Sequence, residues 1–248
     1  MTDYKERIEK LKNCVVKGNV VFFGGAGVST ASGIPDFRSK NGLYNTKQVN
    51  FEEYNPEYLL SIECLKENPV TFFSFFRQKL DLRNFKPNIC HEVLALLEEK
   101  GLLNCVITQN IDNLHQLAGS KKVYELHGSA KKCYCVNCGK EYNIEKILDS
   151  SSIPRCECGG IIRPDIVLYG EKLPKIFDYE APRQVSLADT LIVGGTSLNV
   201  FPAASVINYF KGNNLIIINN QSTHIDEFAK ILFHENIENV FGDLRSIL

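Results

Sequence analysis

No apolar run in the 248 residues approaches the roughly 18 that a membrane-spanning helix needs, so no span is expected. Nor does one sign of charge prevail. The 28 basic and 29 acidic residues leave a net charge of -1, which gives no global pull toward nucleic acid or an anionic membrane. The opening Met1-Thr2-Asp3-Tyr4-Lys5-Glu6-Arg7 is polar and mixed in charge, unlike a signal peptide, and places the chain in the cytoplasm as an expectation. Tandem repeats and a low-complexity tail are also lacking. Hydrophobic residues at 44% and charged residues at 23% exclude intrinsic disorder, and the length is ample for a buried core.

Against this ordinary background stand nine cysteines. Cys14, Cys64, Cys90 and Cys105 are scattered and read as small core hydrophobes. The other five crowd into residues 133–158. An odd count with no export signal argues against a disulfide scaffold and for a reducing compartment and a metal. Cys135 and Cys138 form a C-x-x-C turn, and Cys156 and Cys158 a second pair after seventeen residues. Together they predict one four-thiolate Zn2+ site, closed to water and therefore structural. Cys133 is the spare. A redox dithiol at Cys135 and Cys138 is the alternative, and it leaves the second pair unexplained.

Short apolar runs at 20–23, 105–107, 190–193 and 215–218 read as buried parallel strands. Helical patterns fall at 3–17, with Ile8, Leu11 and Val15 on one face, and near 88–99, 202–211 and 224–232. The alternation predicts an α/β fold, a doubly wound parallel sheet. Residues 39–87, aromatic-rich and broken by Pro56, Pro69 and Pro87, read as a helical insertion. Residues 131–164 carry the cysteines with few large apolar side chains, too few for a core without a metal. The expected organisation is a sheet domain of 1–130 and 165–248, with a small zinc-binding insertion at 131–164.

Gly25-Ala26-Gly27 follows the first strand at once, where backbone amides can approach a pyrophosphate. The dinucleotide fingerprint is incomplete: its sixth position is Thr30, and no acidic residue ends a second strand cleanly. An ordinary dehydrogenase is thereby disfavoured, and a plain strand-to-helix turn stays open. In the stretch that follows, Arg38 suits a phosphate and Phe37 suits a reactive ring. The strand at 105–107 runs into Gln109, Asn110 and Asp112, whose amides and carboxylate match a carboxamide, with helix capping as the alternative. The strand at 123–126 ends at His127-Gly128, a histidine that can act as acid or base near neutral pH, with a satisfied structural residue as the alternative. His115 reads as a structural residue.

In order along essentially the whole chain, these motifs resemble the sirtuins, Sir2-type NAD-dependent protein-lysine deacylases, in a minimal bacterial-type form. The resemblance also covers Gly194-Gly195-Thr196-Ser197-Leu198 and Val167-Leu168-Tyr169-Gly170-Glu171. It implies a Rossmann-like sheet and NAD as co-substrate. Gly25, Ala26, Gly27, Thr30, Phe37 and Arg38 would cover the cofactor, and Gln109, Asn110, Ile111 and Asp112 would meet its ribose and carboxamide. His127 would be the catalytic base. Thr196, Ser197, Asn219 and Ile237 would face the adenosine half. Products would be nicotinamide, O-acyl-ADP-ribose and free lysine. Residues 167–169 and 197–200 would clamp an acyl-lysine peptide by β-augmentation. ADP-ribosyl transfer, or a non-enzymatic sensor of NAD or acyl-peptide, are the alternatives; a monomer is expected.

Two departures stand out. The second cysteine pair is C-x-C where the family commonly has C-x-x-C. Phe75-Phe76-Arg77-Gln78 replaces the Tyr-x-x-Arg pair of desuccinylating members. Phe72, Phe73, Phe75 and Phe76 then read either as an apolar acyl channel, favouring acetyl or longer neutral groups, or as ordinary core.

Overall fold

The computed structural model describes residues 3–36, 42, 51 and 53–248; the Phe37 and Arg38 expectations lie outside them. Among the described residues no helix is long and apolar enough to cross a membrane. The strands, in chain order, are β1 (Val20–Gly24), β2 (Leu103–Thr108), β3 (Val123–Glu125), β4 (Gly128–Cys135), β5 (Glu141–Asn143), β6 (Ile162–Ile166), β7 (Thr190–Gly194), β8 (Asn214–Ile218) and β9 (Ile231–Phe233).

Six of them form one parallel sheet in the order β3-β2-β1-β7-β8-β9. This is the doubly wound Rossmann-type order, and it reverses between β1 and β7, where such sheets open a ligand crevice at the carboxyl ends. β1 is apolar throughout because both its faces are covered. Val20 and Phe22 join the helices Tyr4–Val15, Ile89–Glu99 and Ile237–Ile247 on one side. Val21 and Phe23 join the helix Glu180–Leu187 and the 3-10 helix Ala203–Tyr209 on the other.

The expected helix near 224–232 is a correction. Only a 3-10 turn, Asp226–Phe228, forms there, and Ile231-Leu232-Phe233 pairs with β8 as the edge strand β9. A branched and aromatic triplet packs well on a pleated surface, and the sheet edge was open to it. The prolines of the insertion also act differently from breakers. Pro56 and Pro69 stand at the first turns of the helices Pro56–Leu59 and Pro69–Lys79, where a missing N–H costs nothing.

A second sheet, β5-β4-β6, is antiparallel and carries the clustered cysteines. It does not stand alone. Phe72, Phe73, Phe75 and Phe76 share one core with Cys133, Ile144, Ile147, Ile162 and Ile166. Arg77 fastens the contact, donating from Nε to Ile147 O at 2.9 Å and from Nη2 to Ser152 O. The helical insertion and the cysteine segment, expected as separate additions, are thus one lobe. The four phenylalanines are at most 1% exposed, which makes them core and not a channel wall.

Candidate active site

The crevice is built on two glycine turns at the reversal of strand order. Gly25 N–H donates to Gly194 O at 3.3 Å and Gly27 N–H to Gly195 O at 2.8 Å. A Cβ on Gly27 would stand 2.8 Å from Gly195 Cα, so the two backbones meet with no room for side chains. Gly195 has φ +58°, in the left-handed region. Among the described residues no long helix follows β1 directly. Ala26–Val28 and Thr30–Ser32 are single 3-10 turns, and the exposed Thr30 donates from Oγ1 to Gly27 O at 3.0 Å.

β2 brings its polar end against this turn, with Gln109 N–H on Gly24 O at 3.0 Å. Gln109 Nε2 reaches over to Thr196 Oγ1 at 3.1 Å, and Leu198 N–H donates to the same oxygen at 3.2 Å. Asn110 Nδ2 donates to Ser29 Oγ at 3.0 Å, and that hydroxyl donates to Asp112 Oδ2 at 2.6 Å. Ser29 is 1% exposed and Asn110 9%. Burial pushes the Asp112 carboxyl up, and the Ser29 hydroxyl and the Leu114 N–H on Oδ1 (2.9 Å) oppose it. The capping alternative for Asp112 is therefore present as well, alongside the network. Ser29 was absent from the expected site residues; its partner lies 83 positions away.

His127 follows β3. Its Nδ1 lies 2.8 Å from Gln109 O. A carbonyl only accepts, so Nδ1 carries the proton of the neutral ring and Nε2 is left as the basic nitrogen. Burial lowers its pKa below the ordinary histidine value, against the opposing pull of the Gln109 carbonyl. Gly128 has φ +74°, and a Cβ there would collide with Asp165 O. Ile111 ties the two sheets through Ala130 N–H on its carbonyl at 2.8 Å. His115 is 1% exposed, its ring 4.7 Å from that of His91, inside the core as expected.

The remaining expected positions sit beyond β7 and β8. Thr196 is buried and Ser197 exposed. Asn219 follows β8, with its N–H on Phe233 O at 2.9 Å and Nδ2 on Gln221 O at 2.8 Å. The Ile237 side chain is 4% exposed and belongs to the helix–sheet core beside Gly194. It opens the last helix, where N–H groups lack intrahelical acceptors, so any ligand contact there falls to the backbone.

The four expected metal ligands converge. Cys135 Sγ is 3.4 Å from Cys158 Sγ and Cys138 Sγ 3.6 Å from Cys156 Sγ, and all four lie within 4.8 Å of one another. A tetrahedral zinc thiolate with bonds of about 2.3 Å needs sulfurs roughly 3.8 Å apart, so the donor set fits one Zn2+. The tighter C-x-C pair closes the site without help. Cys133 Sγ donates instead to Asn143 O at 3.1 Å.

Residues 167–169 continue from β6, with Val167 N–H on His127 O at 2.9 Å and Tyr169 bridged to Ser61. Residues 197–200 follow β7 without strand pairing of their own.

Residues 25–202 match the Sir2 family. The NAD-dependent protein deacetylase of Clostridium acetobutylicum is 51% identical over 238 residues, covering 95% of this chain and 96% of that protein. The corresponding enzyme of Clostridium perfringens is 51% identical over 240 residues, covering 96% and 98%. A Sir2 histidine-to-alanine variant solved with a deacetylated peptide and 3'-O-acetyl ADP ribose has TM-score 0.87 and 38% identity, covering 97% of this chain and 98% of that one. A Sir2 bound to acetylated peptide has TM-score 0.83 at 38% identity, covering 97% and 96%.

Proposed function

The chain belongs to the Sir2 family, and from that premise we propose that it is an NAD-dependent protein-lysine deacetylase, releasing nicotinamide, O-acyl-ADP-ribose and free lysine. The observation that carries the reading is His127: a buried imidazole with its proton fixed on Nδ1 by Gln109 O, beside the glycine turns. A pure binding module has no use for such a base.

Each group has a task in this reading. Gly25 and Gly27, whose N–H groups are spent on Gly194 O and Gly195 O, let the backbone come close to the cofactor; the Ala26 N–H, Thr30 and Arg38 face the phosphates, and Phe37 shields the reactive ring. Gln109, Asn110, Ile111 and Asp112 orient the nicotinamide ribose and carboxamide, so that the acyl oxygen meets the ribose carbon from the face opposite the leaving nicotinamide. His127 Nε2 takes the proton of a ribose hydroxyl, which becomes the acceptor of the acyl group. Thr196, Ser197, Asn219 and the start of the helix at Ile237 face the adenosine half. Zn2+, when bound by Cys135, Cys138, Cys156 and Cys158, supplies structure and no chemistry, because no coordination position is left open.

The acyl-lysine peptide adds a strand between residues 167–169 and 197–200. Residues 1–130 and 165–248 serve as the NAD-binding domain, whose helical insertion makes one lobe with the zinc-binding insertion 131–164. One chain supplies both sides of the crevice, so a monomer suffices. Thiolates that must stay reduced fit the cytoplasm.

Incubation with NAD and an acetyl-lysine peptide, followed by mass spectrometry, tests the proposal. The expected products are nicotinamide, O-acetyl-ADP-ribose and deacetylated peptide, all lost in His127→Ala. A peptide heavier by one ADP-ribose would make the protein a transferase instead. Peptide binding with no product would leave a sensor.

A further inference from the structure

Glu171 closes the turn that follows β6. Its Oε2 accepts Leu168 N–H at 2.9 Å, and its two carboxylate oxygens take Arg163 Nη1 and Nη2 at 2.6 and 2.8 Å. Arg163 is 4% exposed. Its Nη2 also donates to Ile166 O at 2.8 Å and its Nε to Pro164 O at 3.3 Å, and its guanidinium lies 5.6 Å from the Tyr134 ring. One planar cation therefore fastens both ends of the segment 164–171.

Four N–H groups of that segment are spent on the protein. Val167 donates to His127 O, Tyr169 to Leu60 O and Glu171 to Leu168 O. Leu168 donates to the Glu171 carboxylate, which the Arg163 pair holds in place. Of the carbonyls, Ile166 O, Leu168 O and Tyr169 O already accept from Arg163 Nη2, Glu171 N–H and Ile62 N–H, so among the described residues Val167 O and Gly170 O are the acceptors of this turn that a new strand would meet through its N–H groups.

We propose that Arg163 and Glu171 are positioning residues for the acylated peptide, holding the 166–171 turn so that Val167 O and Gly170 O face it. Neither touches the reacting atoms. Among the described residues neither side chain is hydrogen-bonded to the glycine turns, so the effect is expected on the peptide and not on NAD. The proposal rests on the deacetylase reading for the identity of the ligand.

Breaking one partner alone leaves a buried charge unpaired, so two variants are needed. Glu171→Gln keeps the shape and loses the charge; Arg163→Met with Glu171→Leu removes both charges together. Each is checked for a wild-type-like unfolding transition and zinc content. A fluorescein-labelled acetyl-lysine peptide of about ten residues is titrated by polarisation. The Michaelis constants for NAD and for a single blocked acetyl-lysine are measured alongside. Loss of one or two backbone hydrogen bonds predicts roughly tenfold weaker binding of the long peptide. The constants for NAD and the single residue stay within about twofold of wild type. Unchanged peptide affinity in a folded variant overturns the proposal, as does an equal rise for NAD. Should the wild type bind the peptide yet transfer no acyl group, the activity reading falls while the positioning test stands. Should the wild type not bind it, both fall.

Discussion

His127 must be neutral to act as a base, and burial keeps it so. Its folded pKa is lowered, so the neutral form persists as pH falls past the ordinary histidine value and is lost only at the lowered one. The acid limb of kcat/KM is therefore expected below about 6.5, measured as a pH profile with saturating peptide; a limb above that value would contradict the assignment. Replacement by Ala is expected to cost about 10²–10⁴ in kcat. Ser29 gives a second case. Ser29→Ala leaves Asn110 Nδ2 and Asp112 Oδ2 without the oxygen between them. The protein should fold, with KM for NAD raised about tenfold by the disordered ribose site. Wild-type KM for NAD in Ser29→Ala would remove Ser29 from the site. The place of His127 after a strand was legible in the sequence because a glycine marks it locally, while its role as a base came from the resemblance to the sirtuins. Ser29 was not, since its meaning depends on a carboxylate 83 residues away.

Elements show the same divide between local and distant information. β1, β7 and β8 were legible as apolar runs because a strand covered on both faces has no polar positions to blur it. β9 was not: three residues are too few to reveal a period, and only the open edge of β8 decides their state. The helix Pro69–Lys79 hid its role for another reason, since a row of phenylalanines suits a core and a ligand channel equally. Their burial now separates the two. Phe72→Ala is expected to cost about 3–5 kcal/mol in urea unfolding, with the ratio of acetyl to longer neutral acyl turnover unchanged. A shift in that ratio without a stability loss would restore the channel. The helix Ile89–Glu99 carries a pH-dependent element of its own. His91 Nδ1 accepts Asn88 N–H at 3.2 Å, and burial pushes the ring down to about 4. Between that value and the unfolded one near 6.5, only the unfolded chain takes the proton, so this stability is complete above about 6.5 and drains away toward pH 4. It amounts to about 3 kcal/mol at most. The fall in urea midpoint from pH 7 to pH 5 should be smaller in His91→Gln than in wild type.

Across the whole molecule, the ladder of β4 and β6 joins two remote functions. Cys135 pairs with Ile162 at one end and Gly128 with Ile166 at the other, next to His127. Removing the metal should therefore loosen the catalytic side as well as the lobe. Chelation, or Cys138→Ser, is expected to abolish activity and expose the lobe to protease, whereas Cys133→Ser keeps full zinc content because its sulfur serves Asn143 O. Zinc content by elemental analysis decides this, and zinc lost from Cys133→Ser would reassign the ligands. The lobe core itself exchanges volume between side chains, so a change at Phe72 can be answered by a change at a neighbour. The glycine turns allow no such answer. A Cβ on Gly27 strikes the main chain of Gly195, and one on Gly195 strikes the main chain at Val28 and Gly27. Main chain cannot be substituted away. Descent with single replacements can therefore remodel the lobe step by step, but it finds no path through this crossing, which passes to every descendant unaltered or not at all.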